Sequence, residues 1–214
     1  MAKKWSGVSV SMQSALATAL TLTGITKANP GVASYTGTDP SDGDFLYLQV
    51  NGMHQLDERV IRADDVVGGS DTFELEGEDT TLYESFSSGT AQVITFGTGL
   101  TDMTNINVSG GDFDFVDVTT IHDLVRKQIP GLPNPITFSF ENIWDISDAG
   151  QAAMLLASKN QQKRAFKFTF QDGTIMTFTG YVGFTGMPTG AALDVVKSPA
   201  VITMFGNPTF YAGS

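Results

Sequence analysis

Hydrophobic and polar residues alternate along most recognisable elements of this chain, most clearly in the segment AFKFTFQDGTIMTFTGYV at residues 165–182. Phe166, Phe168 and Phe170 share one face because successive side chains of a strand point to opposite sides. Asp172-Gly173 is typical of a tight two-residue hairpin turn, and the alternation resumes after it. The pattern predicts a half-buried hairpin. Its Lys and Thr face could meet solvent, a ligand or another copy of the chain.

The same period of two predicts four further strands. They are VSVSMQ at 8–13, GDFDFVDVTT at 111–120, ITFSFEN at 136–142 and SPAVITMFGNPTF at 198–210. In the second of these the apolar face changes at Val116, which indicates a bulge or strong twist. We expect Gly206-Asn207-Pro208 to end the last strand.

One helix is predicted over DAGQAAMLLASKNQ at 148–161, where good helix formers follow a candidate cap, Ser147 or Asp148. Asn160 is a plausible stop. The residues spaced in threes and fours along it are Ala152, Leu155, Leu156 and Lys159. The helix therefore lies between two predicted strands of a chain that is otherwise mainly β.

From about Leu20 to Ile94, short strand-like runs alternate with turn signals such as Asn29-Pro30-Gly31 and Asn51-Gly52. Closely spaced short strands predict a small β-barrel or sandwich. A different signal follows GDFDFVDVTT, where IHDLVRKQIPGLPNP holds three prolines and cannot be a central strand. We interpret it as a long, ordered loop, the kind of segment that often carries function.

Composition narrows the class of protein. The 214 residues can bury one large β domain or two smaller units, and 23 Gly with 15 Phe favour strands and turns. With 23 acidic and 12 basic residues the formal net charge is −11, which argues against a surface that grips nucleic acid phosphates. The absence of cysteine excludes disulfides, thiolate metal sites and cysteine nucleophiles.

The amino terminus imitates a signal peptide, with Lys3 and Lys4 before a mildly apolar stretch. Ser and Thr interrupt every possible apolar core, whereas a signal peptide or a membrane span needs an unbroken one. We expect synthesis in the cytoplasm and no membrane binding. The ends, Met1 to Ser6 and Pro208 to Ser214, are either arms that order on assembly or frayed termini.

Residues that could carry catalysis are few. His54 and His122 are isolated in the sequence, and a lone His is far more often a polar surface residue than a base or ligand. Asp112, Asp114 and Asp117 could be paired carboxylates, but a solvated strand face is the simpler interpretation because no nucleophile or base accompanies them. We expect no enzyme activity, no metal and no cofactor.

The order of signals from Met103 to Tyr211 resembles the tail tube proteins of phages with long non-contractile tails (siphoviruses), the lambda-type family. The matching segments are GDFDFVDVTT, the loop with IPGL, ITFSFENIWD, DAGQAAMLLASKN, AFKFTFQDGTIMTFTGYV and VITMFGNPTF. Residues 22–93 resemble a different unit, a small β module that recurs in phage virion proteins. The segments that carry this second resemblance are ITKANPGV, DGDFLYLQVNGM, RVIRADDV, TFELEGEDTT and SGTAQV.

The resemblance implies a tail tube fold: a β-sandwich of two sheets flanked by one α-helix, formed by residues 1–21 and 94–214. The small β-barrel-like module, residues 22–93, would be inserted in it. Hexameric rings would stack into a tube in the virion tail and conduct DNA without specific binding. The implied partners are further copies of the chain and the tail tip or baseplate, tape measure and tail terminator proteins.

The tube hypothesis assigns candidate roles to two groups of residues. The candidate lumen-facing residues are Asp112, Asp114, Glu141, Thr137 and Ser139, because negative and small polar side chains would let DNA slide. The candidate loop for contacts between subunits or rings holds Arg126, Lys127, Gln128, Ile129, Pro130, Gly131, Leu132 and Pro133. Thr177 and Thr179 are expected to face other subunits or the channel.

Two alternatives remain open at this point. A virion decoration or carbohydrate-binding β-sandwich would need Trp or Tyr exposed in a cleft. An unrecognised hydrolase would lose activity when Asp112 and Asp114 are changed.

Overall fold

The computed structural model describes residues 4–213 and contains sixteen strands, one α-helix and one 3₁₀ turn in this range. In chain order the strands are β1 (Ser9–Met12), β2 (Ala15–Leu16), β3 (Leu20–Ile25), β4 (Val32–Thr36), β5 (Phe45–Asn51), β6 (Val60–Val67), β7 (Thr72–Leu75), β8 (Ser88–Thr95), β9 (Thr98–Leu100), β10 (Met103–Ser109), β11 (Phe113–Asp117), β12 (Gln128–Pro133), β13 (Thr137–Ile143), β14 (Lys163–Thr169), β15 (Ile175–Phe184) and β16 (Lys197–Tyr211). The helix is α1 (Ala149–Lys159) and the 3₁₀ turn spans His54–Leu56. The fold is mainly β, as predicted.

The largest sheet, here called the curled sheet, has the strand order β10-β13-β16-β15-β14-β1-β9. It must bend strongly, because Phe138 of β13 and Phe168 of β14 are three strands apart, about 14 Å in a flat sheet. Their ring centroids are only 5.8 Å apart. The two halves of the sheet therefore face each other like the layers of a sandwich, with the predicted apolar faces of β1, β13 and β14 in the concave core.

Helix α1 closes the open side of this core. Its N-cap is Asp148, whose carboxylate accepts a hydrogen bond from the backbone N–H of Gln151, and Asn160 is the C-cap, so both predicted ends are confirmed. The residues spaced in threes and fours in the sequence do not form the buried face of the helix. Met154 and Ala157 are buried, whereas Leu156 is exposed. Gly150, in the first turn, packs closely on the backbone of Gly99, where an added Cβ would lie 2.5 Å from the carbonyl oxygen.

The second unit, here called the barrel, consists of β3 to β8, residues 20–95. Strand β8 pairs with β3 on one side and with β5 on the other, so the pairing of six strands runs full circle. A closed ring of strands leaves no free edge. The barrel has its own apolar core. The barrel-like module predicted from the turn signals is thus present, while the division at residues 22 and 93 stays a prediction.

The barrel covers part of the convex face of the curled sheet, which answers what the Lys and Thr face of the β14–β15 hairpin meets. Thr179 donates a hydrogen bond from Oγ1 to the carbonyl of Glu58 at 3.0 Å, and Lys163 Nζ lies 2.6 Å from the Glu58 carboxylate. Thr177 is fully buried beside Val60. The prediction that Thr177 and Thr179 face other subunits or the channel was wrong, because their own chain covers them.

Two turn predictions need correction. The β14–β15 turn has three residues, since Phe170 and Thr174 bond across it and Gly173 adopts a φ of 81°. A type I turn followed by a left-handed glycine produces this loop. Strand β16 does not end at Gly206. The segment 206–208 bulges out, and pairing with β15 resumes at Thr209.

The continuation of β16 also corrects one predicted arm. Thr209 and Tyr211 are buried between the barrel and the curled sheet, so the segment Pro208 to Tyr211 is a paired strand. Of the predicted amino-terminal arm, Met1 to Lys3 lie outside the described residues, as does Ser214 at the other end.

Candidate assembly surface

A two-stranded hairpin, here called the arm (residues 112–135), leaves the curled sheet between β10 and β13. In the part of the chain that the structure describes, strands β11 and β12 pair only with each other. Its root is shaped by Gly110, whose φ is 91° and whose missing Cβ would lie 2.1 Å from the carbonyl oxygen of Pro135. A side chain at this position would be excluded both by the backbone conformation and by the contact. The close approach fixes where the arm departs.

The arm exposes an unusual amount of apolar surface. Ile121 and Leu124 at the tip are 95% and 102% exposed, and Val125 is 74% exposed. The other exposed apolar residues of the arm are Phe113, Phe115, Val116, Val118, Ile129 and Leu132. An isolated hairpin without a core is at best marginally stable in water, and large exposed apolar patches mark interaction sites. The arm is thus built to be covered by another molecule.

The carboxylates of the tip are paired within the tip itself. Asp117 forms an ion pair with Arg126 at 2.9 Å, and Asp123 forms one with Lys127. Hydrogen bonds from Thr119, followed by Arg126, lower the pKa of Asp117 below its ordinary value. Lys127 does the same for Asp123, with help from Thr120. Since these charges are already paired, the tip offers a partner its apolar side chains and the exposed His122.

The arm unites residues that the sequence analysis had separated. Arg126 and Lys127 lie at the tip, and Gln128 to Pro133 form strand β12 rather than the predicted loop. Pro130 and Pro133 are tolerated because both strands of an isolated hairpin are edge strands. The prediction that this segment is not a central strand is therefore confirmed. A register shift lies between Phe113 and Phe115, before the face change at Val116 where a bulge or strong twist was predicted, and its extra residue is on β12.

The five candidate lumen residues fall in two places. Asp112 and Asp114 are exposed on the arm, and Asn134 donates a weak hydrogen bond to Asp114 at 3.4 Å. Thr137, Ser139 and Glu141 lie side by side on the convex face of β13, half-buried. We call this uncovered part of the convex face the polar flank. Its polar members are Asn107, Ser109, Thr137, Ser139, Glu141, Lys197 and Thr203, and Pro199 and Val201 of β16 lie among them on the same face.

The polar flank carries one charged pair among these residues. Lys197 Nζ donates to the Glu141 carboxylate at 2.9 Å, and Asn105 donates to the same oxygen at 3.0 Å. The hydrogen bond from Lys197, followed by that from Asn105, lowers the pKa of Glu141 below its ordinary value of 4.5. Glu141 therefore stays ionised and paired at neutral pH, and the flank as a whole is close to neutral.

The negative charge of the protein is concentrated in the barrel. Residues 20–95 hold 13 of the 23 acidic residues but only 3 of the 12 basic ones. The remaining segments, which include the curled sheet, the helix and the arm, hold 10 acidic and 9 basic residues. The acidic excess seen in the composition is therefore not a property of the polar flank.

A second exposed apolar segment, the loop of residues 185–196, was not predicted from the sequence. Met187, Leu193 and Val195 are exposed on it, and the loop is joined to the segment before the helix by a hydrogen bond from Trp144 Nε1 to the carbonyl of Gly186 at 3.1 Å. The apolar residues of this loop are spaced with neither the period of a strand nor that of a helix, so the sequence looks like an ordinary turn. The feature that could have identified the loop is the presence of large apolar side chains among Gly, Pro and Thr residues.

The described residues hold neither a metal-binding cluster nor a membrane-spanning helix. Within residues 4–213, no group of three or more His, Cys, Asp or Glu side chains is arranged to hold a metal ion. Across the same range, no helix has the length and apolar character of a membrane span.

Comparison with known families shows the family of the chain. The profile of the phage tail tube protein family matches residues 51–213, most of the chain. The protein belongs to the phage tail tube protein family. It is therefore a structural component of the virion tail, and the match covers the arm, the polar flank and the later strands of the barrel. No curated protein sequence matches the chain.

Proposed function

We propose that this tail tube protein assembles into hexameric rings that stack into the conduit for DNA ejection. The observation that carries the proposal is the tip of the arm, where Ile121, Leu124 and Val125 are exposed while Asp117 and Asp123 are already paired with Arg126 and Lys127. Family membership gives the tube role, and the sequence resemblance is the basis for six subunits per ring. Tail tip or baseplate, tape measure and tail terminator proteins would bind the ends or the interior of the tube.

Ring closure also accounts for the open edge of the curled sheet. Within residues 4–213, strand β10 pairs with β13 on one side and with no strand on the other, and β9 forms the opposite edge of the sheet. Exposed edges invite uncontrolled pairing unless another strand covers them. In a closed ring the neighbouring subunit would cover this edge, and each subunit would contribute the same contact.

The polar flank is the surface we assign to the channel. Its side chains are small, uncharged or paired, so DNA phosphates would meet neither free cations that bind them nor a strong repulsive field. This replaces the idea of an acidic lining, since the acidic excess lies in the barrel. Asp112 and Asp114, on the arm, would then lie at the boundary between rings rather than along the channel wall. The proposed role requires no catalysis.

The barrel, on the other flank of the convex face, would lie on the outside of the tube. It is held there by the Glu58–Lys163 pair and by the apolar cluster of Phe45, Val60, Ile94, Ala165 and Tyr211. A fixed contact of this kind makes the barrel part of the tube wall rather than a tethered appendage.

The tip of the arm provides the direct test. Leu124→Ser should raise the subunit concentration needed for tube formation about tenfold or more, since burying one Leu contributes about 1.5–3 kcal/mol and 1.4 kcal/mol is a factor of ten. The triple variant Ile121→Ser, Leu124→Ser, Val125→Ser should form no tubes at concentrations where the wild type does. Light scattering and negative-stain electron microscopy measure both.

Leu82→Ser is the matched control. Leu82 is 94% exposed, but it lies on the barrel, so the same chemical change removes the same exposed side chain away from the arm. It should leave tube formation unchanged. Equal effects of Leu124→Ser and Leu82→Ser, or tubes from the triple variant at wild-type concentration, would argue against an assembly role for the arm.

A further inference from the structure

A groove at the root of the arm has the properties of a receptor for an apolar segment. It has a volume of about 520 Å³ and runs between the arm and the bulge in β16. Its lining residues are Gly111, Phe113, Pro133, Asn134, Pro135, Ile136, Met204, Phe205, Gly206 and Asn207, none of which is charged. Aromatic and aliphatic walls with a few amide groups are typical of pockets that take apolar side chains.

Because no charged residue lines the groove, a charged segment is a poor ligand for it. A segment with unpaired charges would lose its hydration there without gaining a counter-ion, which is costly. The acidic barrel of another copy is therefore a poor occupant. The arm tip fits, since Asp117 and Asp123 already have Arg126 and Lys127 as partners and three exposed apolar side chains project beside them.

The tip cannot fill the groove of its own chain. Phe113 lines the groove, and Ile121 is eight residues further along the extended arm. At about 3.3 Å per strand residue, five residues of β11 alone place the tip roughly 15 Å beyond the root. A tip-to-root contact therefore joins two molecules, and because the two surfaces differ, it can repeat without limit.

We propose that the apolar tip of each arm, formed by Ile121, Leu124 and Val125, inserts into the root groove of a second copy of this chain. The inference rests on the proposed self-assembly and adds the receptor to it. A heterologous, repeating contact of this kind is suited to joining successive rings along a tube.

Disulfide trapping can test the contact because the chain has no cysteine of its own. Leu124→Cys and Asn207→Cys are prepared as two separate single variants, mixed, assembled and exposed to a mild oxidant. We expect a disulfide-linked dimer that contains one copy of each variant, identified by mass spectrometry of the joined peptides. The double variant in one chain should give a ladder of linked multimers.

A second pair, Ile121→Cys with Asn134→Cys, tests a slightly different position of the tip in the groove. It is needed because a disulfide forms only when the two Cα atoms lie within about 7 Å.

The controls separate failure of this contact from failure of the tube proposal. Leu124→Cys mixed with Leu82→Cys should give no linked heterodimer. Tubes seen by electron microscopy without a link in either tip-to-groove pair would overturn the groove as receptor and leave the tube function standing. Links formed by Leu124→Cys alone would also overturn it, since they would show tip-to-tip contact. If wild-type protein forms no assembly, both proposals fail.

Discussion

Replacing Phe178 with Ala is expected to lower the free energy of unfolding by about 3–5 kcal/mol, near the upper end for a core substitution. Phe178 is fully buried at the centre of the curled sheet. Its ring centroid lies 5.0 Å from that of Phe138, 5.5 Å from that of Phe166 and 5.7 Å from that of Phe168. Removing it leaves a cavity between the two halves of the sheet, where three rings lose their common neighbour.

Urea denaturation of the unassembled subunit measures this loss. Phe210→Ala is the matched control, because Phe210 is a ring on the neighbouring strand β16 but is 65% exposed. Its replacement should cost about 1 kcal/mol or less. A loss under about 1.5 kcal/mol for Phe178→Ala would show that the sheet can collapse around the gap, contrary to the tight ring packing described above.

Replacing Arg59 with Met should destabilise the subunit by a similar amount, about 3–5 kcal/mol, by leaving a carboxylate buried without its partner. The Arg59 guanidinium bonds both oxygens of Glu78, at 2.5 and 2.9 Å. It also donates to Thr209 of β16 at 3.2 Å, which ties the barrel to the curled sheet. Burial opposes the charge of Arg59, but the bonds to Glu78 outweigh it and raise the arginine pKa.

The double variant Arg59→Met, Glu78→Met makes this test specific. Removing both charges should restore part of the lost stability, because no unpaired ion is left behind, although Tyr83 loses the oxygen to which it donates. Arg126→Met is the control for an exposed pair, where about 0–1 kcal/mol is expected for the unassembled subunit. Simple addition of the two losses in the double variant would contradict the account of a coupled buried pair.

Alternation in the sequence was sufficient to place the concave core. Phe138, Phe166 and Phe178 are buried as predicted, because a period of two assigns side chains to a common face. It does not say what covers the opposite face. Thr177 and Thr179 are buried by a barrel more than 100 residues away in sequence, and no local pattern contains that contact.

In the arm, alternation in the sequence did not predict burial. The segment FDFVD alternates like a buried strand, yet every side chain of β11 is exposed, since the pattern is the same whether the apolar face meets its own core or another molecule. The overall composition, in turn, did not predict where the acidic residues lie. A net charge of −11 suggested an acidic channel, but composition carries no position, and the excess lies in the barrel.

The central claim is that this tail tube protein builds a tube with the polar flank inside and the barrel outside. Electron cryomicroscopy of tubes from the wild-type protein tests it most directly. We predict six-fold rings in which Thr137, Ser139 and the Glu141–Lys197 pair line the channel, arm tips contact the adjacent ring and barrels project outward. Tubes with the barrel or the arm tip lining the channel, or rings of another symmetry, would contradict the account.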